Sequence, residues 1–344
     1  RWQVSSAMTF ADHGTVGSEQ ALGASLKILF GLIKLYEFER LFTGLAPEEP
    51  HRFGKRSPAP MPLAMKWGIV STIKAPLEEI ERFAAHHLEL GADRLILYLD
   101  DDNESAFQAL RQHPKLRVLR THGEHWRGKS RPAKHQARQG ANARHAYKRK
   151  ADGLEWLAHI DVDEFLWPLK RPLAEQLAAL PKGCMAARVR PIEALASQTG
   201  TYFKAMTNER KQRQRETDAI YPTYGHHLNG GFLSHVAGKL FARTGSEEAD
   251  FRIHNVFLNG VQNPEQEELL GTELCHIHAA SYGHWMQNYR YRLSHGVYRA
   301  ELKPNRAPEL GGLTLHELLK TIEDTDGEDG LKAFYEEVCT ATPE

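Results

Sequence analysis

Through the first half of the chain, short apolar runs alternate with longer segments in which an apolar position recurs every three or four residues. The runs 67–73, 94–99, 116–120 and 155–160 read as strands, and 77–90, 105–112 and 132–150 read as helices between them. Runs that are apolar at successive positions belong to strands covered on both faces. Alternation at this spacing implies parallel βαβ units with right-handed crossovers. The predicted class is α/β, a Rossmann-type, mostly parallel sheet flanked by helices.

Beyond residue 160 the order loosens. A short helix over 173–180 and a strand over 185–190 precede a polar stretch, 197–221, that reads as a long loop of the kind that forms lids or acceptor sites. Three short strands follow at 238–243, 251–257 and 273–278, then a helix over 281–295 rich in Tyr and Arg. The tail 313–338 reads as two small helices around the acidic turn 323–330, which lacks the full calcium-loop pattern and is read as a solvated loop. Upstream, 21–42 has the pattern of an amphipathic helix, packed on a domain or, as a second use, lying on a membrane surface. Five prolines mark 46–62 as a linker. The expected organisation is a helical extension and linker over 1–62, a main domain over 63–300 and a helical tail over 301–344.

Composition narrows the function without naming it. The 344 residues carry 44 Lys+Arg against 44 Asp+Glu, so no global field favours nucleic acid, and none is expected as a partner. Three scattered cysteines, Cys184, Cys275 and Cys339, make neither a disulfide framework nor a zinc knuckle and fit a reducing, cytoplasmic setting. The chain opens on Arg1, which leaves a removed targeting segment open, and oligomeric state is not readable.

The chemistry concentrates at strand ends. The apolar run 155–160 stops in Asp161 and Asp163, two carboxylates one residue apart at the carboxyl end of a strand, where open α/β sheets bind ligands. Such oxygen donors suit Mg²⁺ or Mn²⁺ completed by substrate phosphates. Asp100 leaves the second strand at another carboxyl end and is a candidate for nucleotide contact. Between Arg127 and Lys150 lie nine Lys or Arg and no acid; Lys129, Arg131, Lys134 and Gln136, near the helix start, are placed to receive phosphate. The Gly- and His-rich stretch 225–239 reads as an acceptor-side loop, and a zinc site from His226, His227 and His235 lacks a recognised spacing.

These features together resemble bacterial family-2-type glycosyltransferases, in a subgroup related in pattern to family-92 enzymes. The resemblance rests on the strand around Val70, the segment 78–98, Asp161-Val-Asp-Glu-Phe165, Gly238-Lys239, Arg252-Ile-His254-Asn255, His276-Ile-His278, Ser281 with Trp285, and His295-Gly296, and it spans 67–300. It implies a GT-A fold and a nucleotide-sugar donor, UDP-linked ahead of GDP-linked, with a divalent cation bridging Asp161 and Asp163 to the donor diphosphate. It also implies His278 as a further metal ligand, Lys239 and His254 on donor phosphate or sugar, and a glycan or lipid-linked acceptor in polysaccharide biosynthesis. Two segments depart from the family pattern: Lys74-Ala75-Pro76 after the first strand and Tyr289-Arg290-Tyr291-Arg292 in the late helix. The implied reaction is attack of an acceptor hydroxyl on the anomeric carbon, with Glu164 and Glu193 as candidate general bases. A non-catalytic nucleotide-sugar or glycan-binding module is the alternative. A nucleotidyltransferase or nucleotide-sugar hydrolase would want a Gly-rich phosphate loop after the first strand, which is absent.

Overall fold

The computed structural model describes residues 2–3, 65–126, 128, 130–198, 201–294 and 303–342. The segments 21–42 and 46–62 and the pair His295-Gly296 lie outside the described residues. The described residues belong to one compact unit.

After the two-residue strand β1 (Trp2–Gln3), the parallel half follows the apolar pattern closely. Strands β2 (Trp67–Ile73), β3 (Arg94–Leu99), β4 (Leu116–Arg120) and β5 (Trp156–His159) alternate with helices α1 (Leu77–Glu89), α2 (Glu104–Leu110) and α3 (His135–Arg149). Each strand sends alternate side chains to opposite faces. Trp67, Ile69, Leu95, Leu97, Trp156 and Ala158 pack with Ile80 and Phe83 of α1 and Ala106 of α2. Val70, Ile96, Tyr98 and Leu157 pack with Ala143, Ala146 and Tyr147 of α3 on the other side. All four strands pair in parallel, in the order β4-β3-β2-β5. The chain steps from β2 outward to β4 and then returns to the far side of β2, which makes the gap between β2 and β5 a topological switch point. Asp161 leaves the sheet there.

The second half wraps antiparallel strands onto that core. It comprises β6 (Glu164–Pro168), α4 (Leu173–Ala178), β7 (Ala186–Leu195), β8 (Tyr202–Lys204), α5 (Arg210–Ile220) and β9 (Lys239–Arg243). A separate three-stranded sheet, β10 (Ala249–Phe251), β11 (Val256–Leu258) and β12 (Val261–Gln262), precedes β13 (Gln266–His276), α6 (Tyr282–Ser294) and α7 (Leu315–Cys339). β9 joins β5 and β7 antiparallel, while β13 runs parallel to β7 and antiparallel to β6, so the main sheet is a mixed one of ten strands. The expected α/β class holds, with parallel pairing concentrated in β4-β3-β2-β5.

Two local expectations change. The stretch 197–221 contains β8 and α5 rather than an unbroken loop; α5 buries only Thr217, so its sequence carries no apolar stripe to read. The tail keeps its expected pair of helices, which meet within α7 at a kink at Gly327, where φ is 64°. The continuation after Asp163 is a strand of its own, β6, and this pairing builds the site.

Candidate functional site

Strand β6 meets β13 in a register that sets Glu164 opposite His276, and the Ile277 amide donates to the Asp163 carbonyl at 2.8 Å. The ladder therefore brings His276 and His278 to the turn that follows β5. Asp163, His276 and His278 each offer a ligand atom, all within 4.8 Å of one another. His276 Nε2 lies 3.2 Å from Asp163 Oδ2. Burial opposes a charge on His276, but the Asp163 carboxylate outweighs it and lifts the imidazole up to about 9. His278 is pushed well below its ordinary value, first by burial and then by Arg292, so it stays neutral, the ligating form of an imidazole. The Arg292 guanidinium lies against its ring, Nη1 2.9 Å from Nε2, so a cation and this arginine compete for the same nitrogen. Asp163 is 36% exposed and gives the cluster its opening to solvent. One carboxylate and two imidazoles at this spacing fit a divalent cation.

The structure divides the acidic pair. Asp161 is absent from that cluster; its Oδ1 accepts from Gln139 Nε2 at 2.7 Å and its Oδ2 from Lys239 Nζ at 2.6 Å. Lys239 is 2% exposed and lies 3.3 Å from Glu164 as well, so one buried ammonium balances two carboxylates. Burial opposes this charge, yet Asp161 and Glu164 hold the lysine above its ordinary value. Glu164 receives the Asp161 amide at 2.8 Å, and burial pushes its carboxyl up to about 7. Gly238 makes the approach of Lys239 feasible: its φ is +69°, and a Cβ there would run into the Val189 carbonyl.

The basic stretch is organised by Asp100 rather than the reverse. Its carboxylate has no exposed side-chain surface and receives Arg138 at 2.7–2.9 Å, Arg131 at 2.8 Å and His135 at 3.2 Å. A carboxylate satisfied this way anchors the start of α3; a nucleotide has no lone pair left to approach. Burial works against its charge, but these partners hold it well below the usual carboxylate range. The expected nucleotide contact at Asp100 is thus replaced by a positioning role for Arg131, which stays exposed beside Lys134, with Gln136 half-buried in the first turn; Lys129 lies outside the described residues. Asp100→Asn is expected to lower the unfolding free energy at neutral pH by about 2–4 kcal/mol, because Arg138 is left buried and unpaired. The depressed native value means the stabilisation is complete above the unfolded carboxyl value of about 3.9 and fades as pH falls below it. Urea unfolding of both proteins across that range checks this: the gap between them closes in acid.

The remaining candidates sit around the same edge. His254 bonds the Gly238 carbonyl at 3.0 Å through Nδ1 and stacks on His235 at 4.5 Å, and burial pushes it down to about 3. Glu193 accepts the Leu233 and Ser234 amides at 3.1 and 2.7 Å and pairs with Lys204, which also bonds the Val338 carbonyl at 2.9 Å. Bound on all sides and held below its ordinary value despite burial, it ties β7 to the 231–234 segment instead of offering a base. Glu164, bonded to Lys239 and the Asp161 amide, is likewise a structural partner. His226, His227 and His235 form no metal cluster among the described residues. The two segments that departed from the family pattern meet: Lys74 Nζ lies 5.7 Å over the Tyr291 ring. Missed in the sequence were His276, whose partner strand was unseen, and Gln139, which reaches Asp161 from the second turn of α3. His159, fully buried two residues before Asp161, has neither ring nitrogen hydrogen-bonded.

No protein-family profile and no curated protein sequence matches the chain. Among solved structures, the chain is similar to the mannosyltransferase PcManGT from Pyrobaculum calidifontis in complex with GDP-Man and Mn²⁺, at 12% identity and TM-score 0.30, over 93% of this chain and 87% of that one. HddC from Yersinia pseudotuberculosis matches at 9% identity and TM-score 0.28, over 52% and 77%. Mouse xyloside xylosyltransferase 1 matches at 13% identity and TM-score 0.27, over 52% and 67%. At likenesses this low, any functional reading stands on the geometry of the site itself.

Proposed function

We propose that this chain is a divalent-cation-dependent glycosyltransferase that uses a nucleoside-diphosphate sugar. The observation that carries the reading is the Asp163–His276–His278 cluster, opening to solvent beside the switch point of a doubly wound sheet. Asp163, His276 and His278 would hold the cation, and two imidazoles in the set favour Mn²⁺ over Mg²⁺. When bound, such a cation supplies Lewis-acid stabilisation of the departing diphosphate. The chain's own groups do the rest. Arg131, oriented by Asp100, and Lys134 at the start of α3 would supply positive charge to the leaving phosphate. Lys239 and Gln139 fix the Asp161 carboxylate, keeping it from repelling that phosphate as a free charge.

The test is calorimetric titration of UDP and of GDP with and without Mn²⁺, followed by incubation with the sugar donors of whichever nucleotide binds. Cation-dependent binding in the micromolar range, about −8 kcal/mol, and release of nucleotide only with acceptor present are expected. Absence of nucleotide binding under both conditions sinks the transferase reading.

A further inference from the structure

Arg292 stands at the cation cluster without belonging to it. In the last turn of α6, it sets its guanidinium along the His278 ring, Nη1 2.9 Å from Nε2 and Nη2 3.0 Å from Nδ1. A guanidinium only donates, and an imidazole offers at most one accepting nitrogen, so one of the two contacts opposes donor to donor. The lone pair that serves the other is the one a metal ion takes. His278 owes its place to the backbone instead: the Ile277 amide donates to the Asp163 carbonyl at 2.8 Å, and the Ala279 carbonyl accepts the Tyr335 hydroxyl at 2.9 Å. Arg292 is placed separately by α6, whose Trp285 and Tyr289 share a buried cluster with Leu319, Phe334 and Tyr335 of α7. We propose that Arg292 exchanges partners: it yields His278 to a divalent cation and turns to the diphosphate that accompanies it. The diphosphate rests on the transferase reading; the exchange at His278 rests on the cluster alone.

Charge gives the exchange its consequence. Around the cluster, Asp161, Asp163, Glu164 and Glu193 face Lys204, Lys239 and Arg292. With the imidazoles neutral, as ligation requires, and Glu164 counted as ionised, this set carries one negative charge. Were Arg292 neutral, a dication would bring the set to neutrality. With Arg292 the same dication leaves one positive charge in excess, so the guanidinium opposes the cation until an anion joins. A diphosphate beside the cation is such an anion, and a guanidinium takes phosphate oxygens two at a time. Arg292 is half-buried on a long side chain, free to turn about several bonds while α6 itself stays anchored. Cation and diphosphate therefore strengthen each other's binding, and a cation alone is held weakly.

Calorimetric titration of Mn²⁺ alone, and then of UDP and GDP in saturating Mn²⁺, into the whole protein and its Arg292→Met variant tests this. Arg292→Met is expected to bind Mn²⁺ about tenfold more tightly than the parent and the nucleotide about tenfold more weakly. The opposite signs are the signature, because a merely structural role would weaken both bindings or neither. Arg292→Gln, milder to the fold, should shift both affinities in the same directions, and Arg292→Lys should recover nucleotide binding that Arg292→Met loses. Mn²⁺ affinity unchanged or lowered in both neutral variants overturns the exchange. Tighter Mn²⁺ binding in them, with no nucleotide bound by any of the proteins, would keep the exchange at His278 and remove the transferase reading with its diphosphate. No Mn²⁺ bound by any of them overturns both.

Discussion

Asp163→Asn is expected to abolish Mn²⁺ binding and to lower sugar transfer by about 10³-fold or more, the worth of several kcal/mol of Lewis-acid stabilisation. The same loss is expected for His276→Gln, because its imidazole belongs to the same 4.8 Å cluster. Asp161→Asn should behave differently. Its oxygens already serve Gln139 and Lys239, so Mn²⁺ affinity should change far less than in the Asp163 variant, although the phosphate face is disturbed. Titration of Mn²⁺ into the three proteins, read by calorimetry and by Mn²⁺ electron paramagnetic resonance, separates them. Equal loss in Asp161→Asn and Asp163→Asn would refute the division of the acidic pair and restore a cation shared between the two aspartates.

Lys239→Met should be strongly destabilising. The ammonium is 2% exposed and balances Asp161 and Glu164, and removing one partner from a buried ionic cluster costs about 3–5 kcal/mol. Asp161 is 32% exposed and can rehydrate in part, which puts the expected loss near the lower end, about 3 kcal/mol, or roughly 5 °C in Tm for a unit of this size. Adding Asp161→Asn should recover part of it, since that removes one of the orphaned charges. Thermal unfolding of the single and double variants is the measurement; a double variant less stable than Lys239→Met alone would show that packing, not charge, makes the lysine necessary.

The parts of this molecule that could be read from its sequence are those whose structure is local and apolar. β2 and β3 are delimited by apolar runs alone, because burial on both faces leaves a strong pattern, and the amphipathic α1 and α3 are legible to within a few residues. Helix α5 left none, having nearly all its side chains in solvent. At the site, Asp161 and Asp163 stand out by residue type and position, and Lys239 and His278 only through the family resemblance; neither tells who pairs with whom. The alliance of Asp163 with His276 depends on the β6–β13 register, and that of Asp161 with Lys239 on a close approach at Gly238. The role of Asp100 was misread for the same reason: a strand-end acid looks alike whether it faces a ligand or two arginines.

The separation of Asp163 from His276 along the chain, 113 residues, has a bearing on biosynthesis. As the protein emerges from the ribosome, the four parallel strands are all made while the cluster still consists of one carboxylate. Both imidazoles arrive only with the end of β13, and the helices that pack behind them come later still. On the proposed reading, a chain stopped before the end of β13 carries one of the three cation ligands, and metal binding would require the chain through His278.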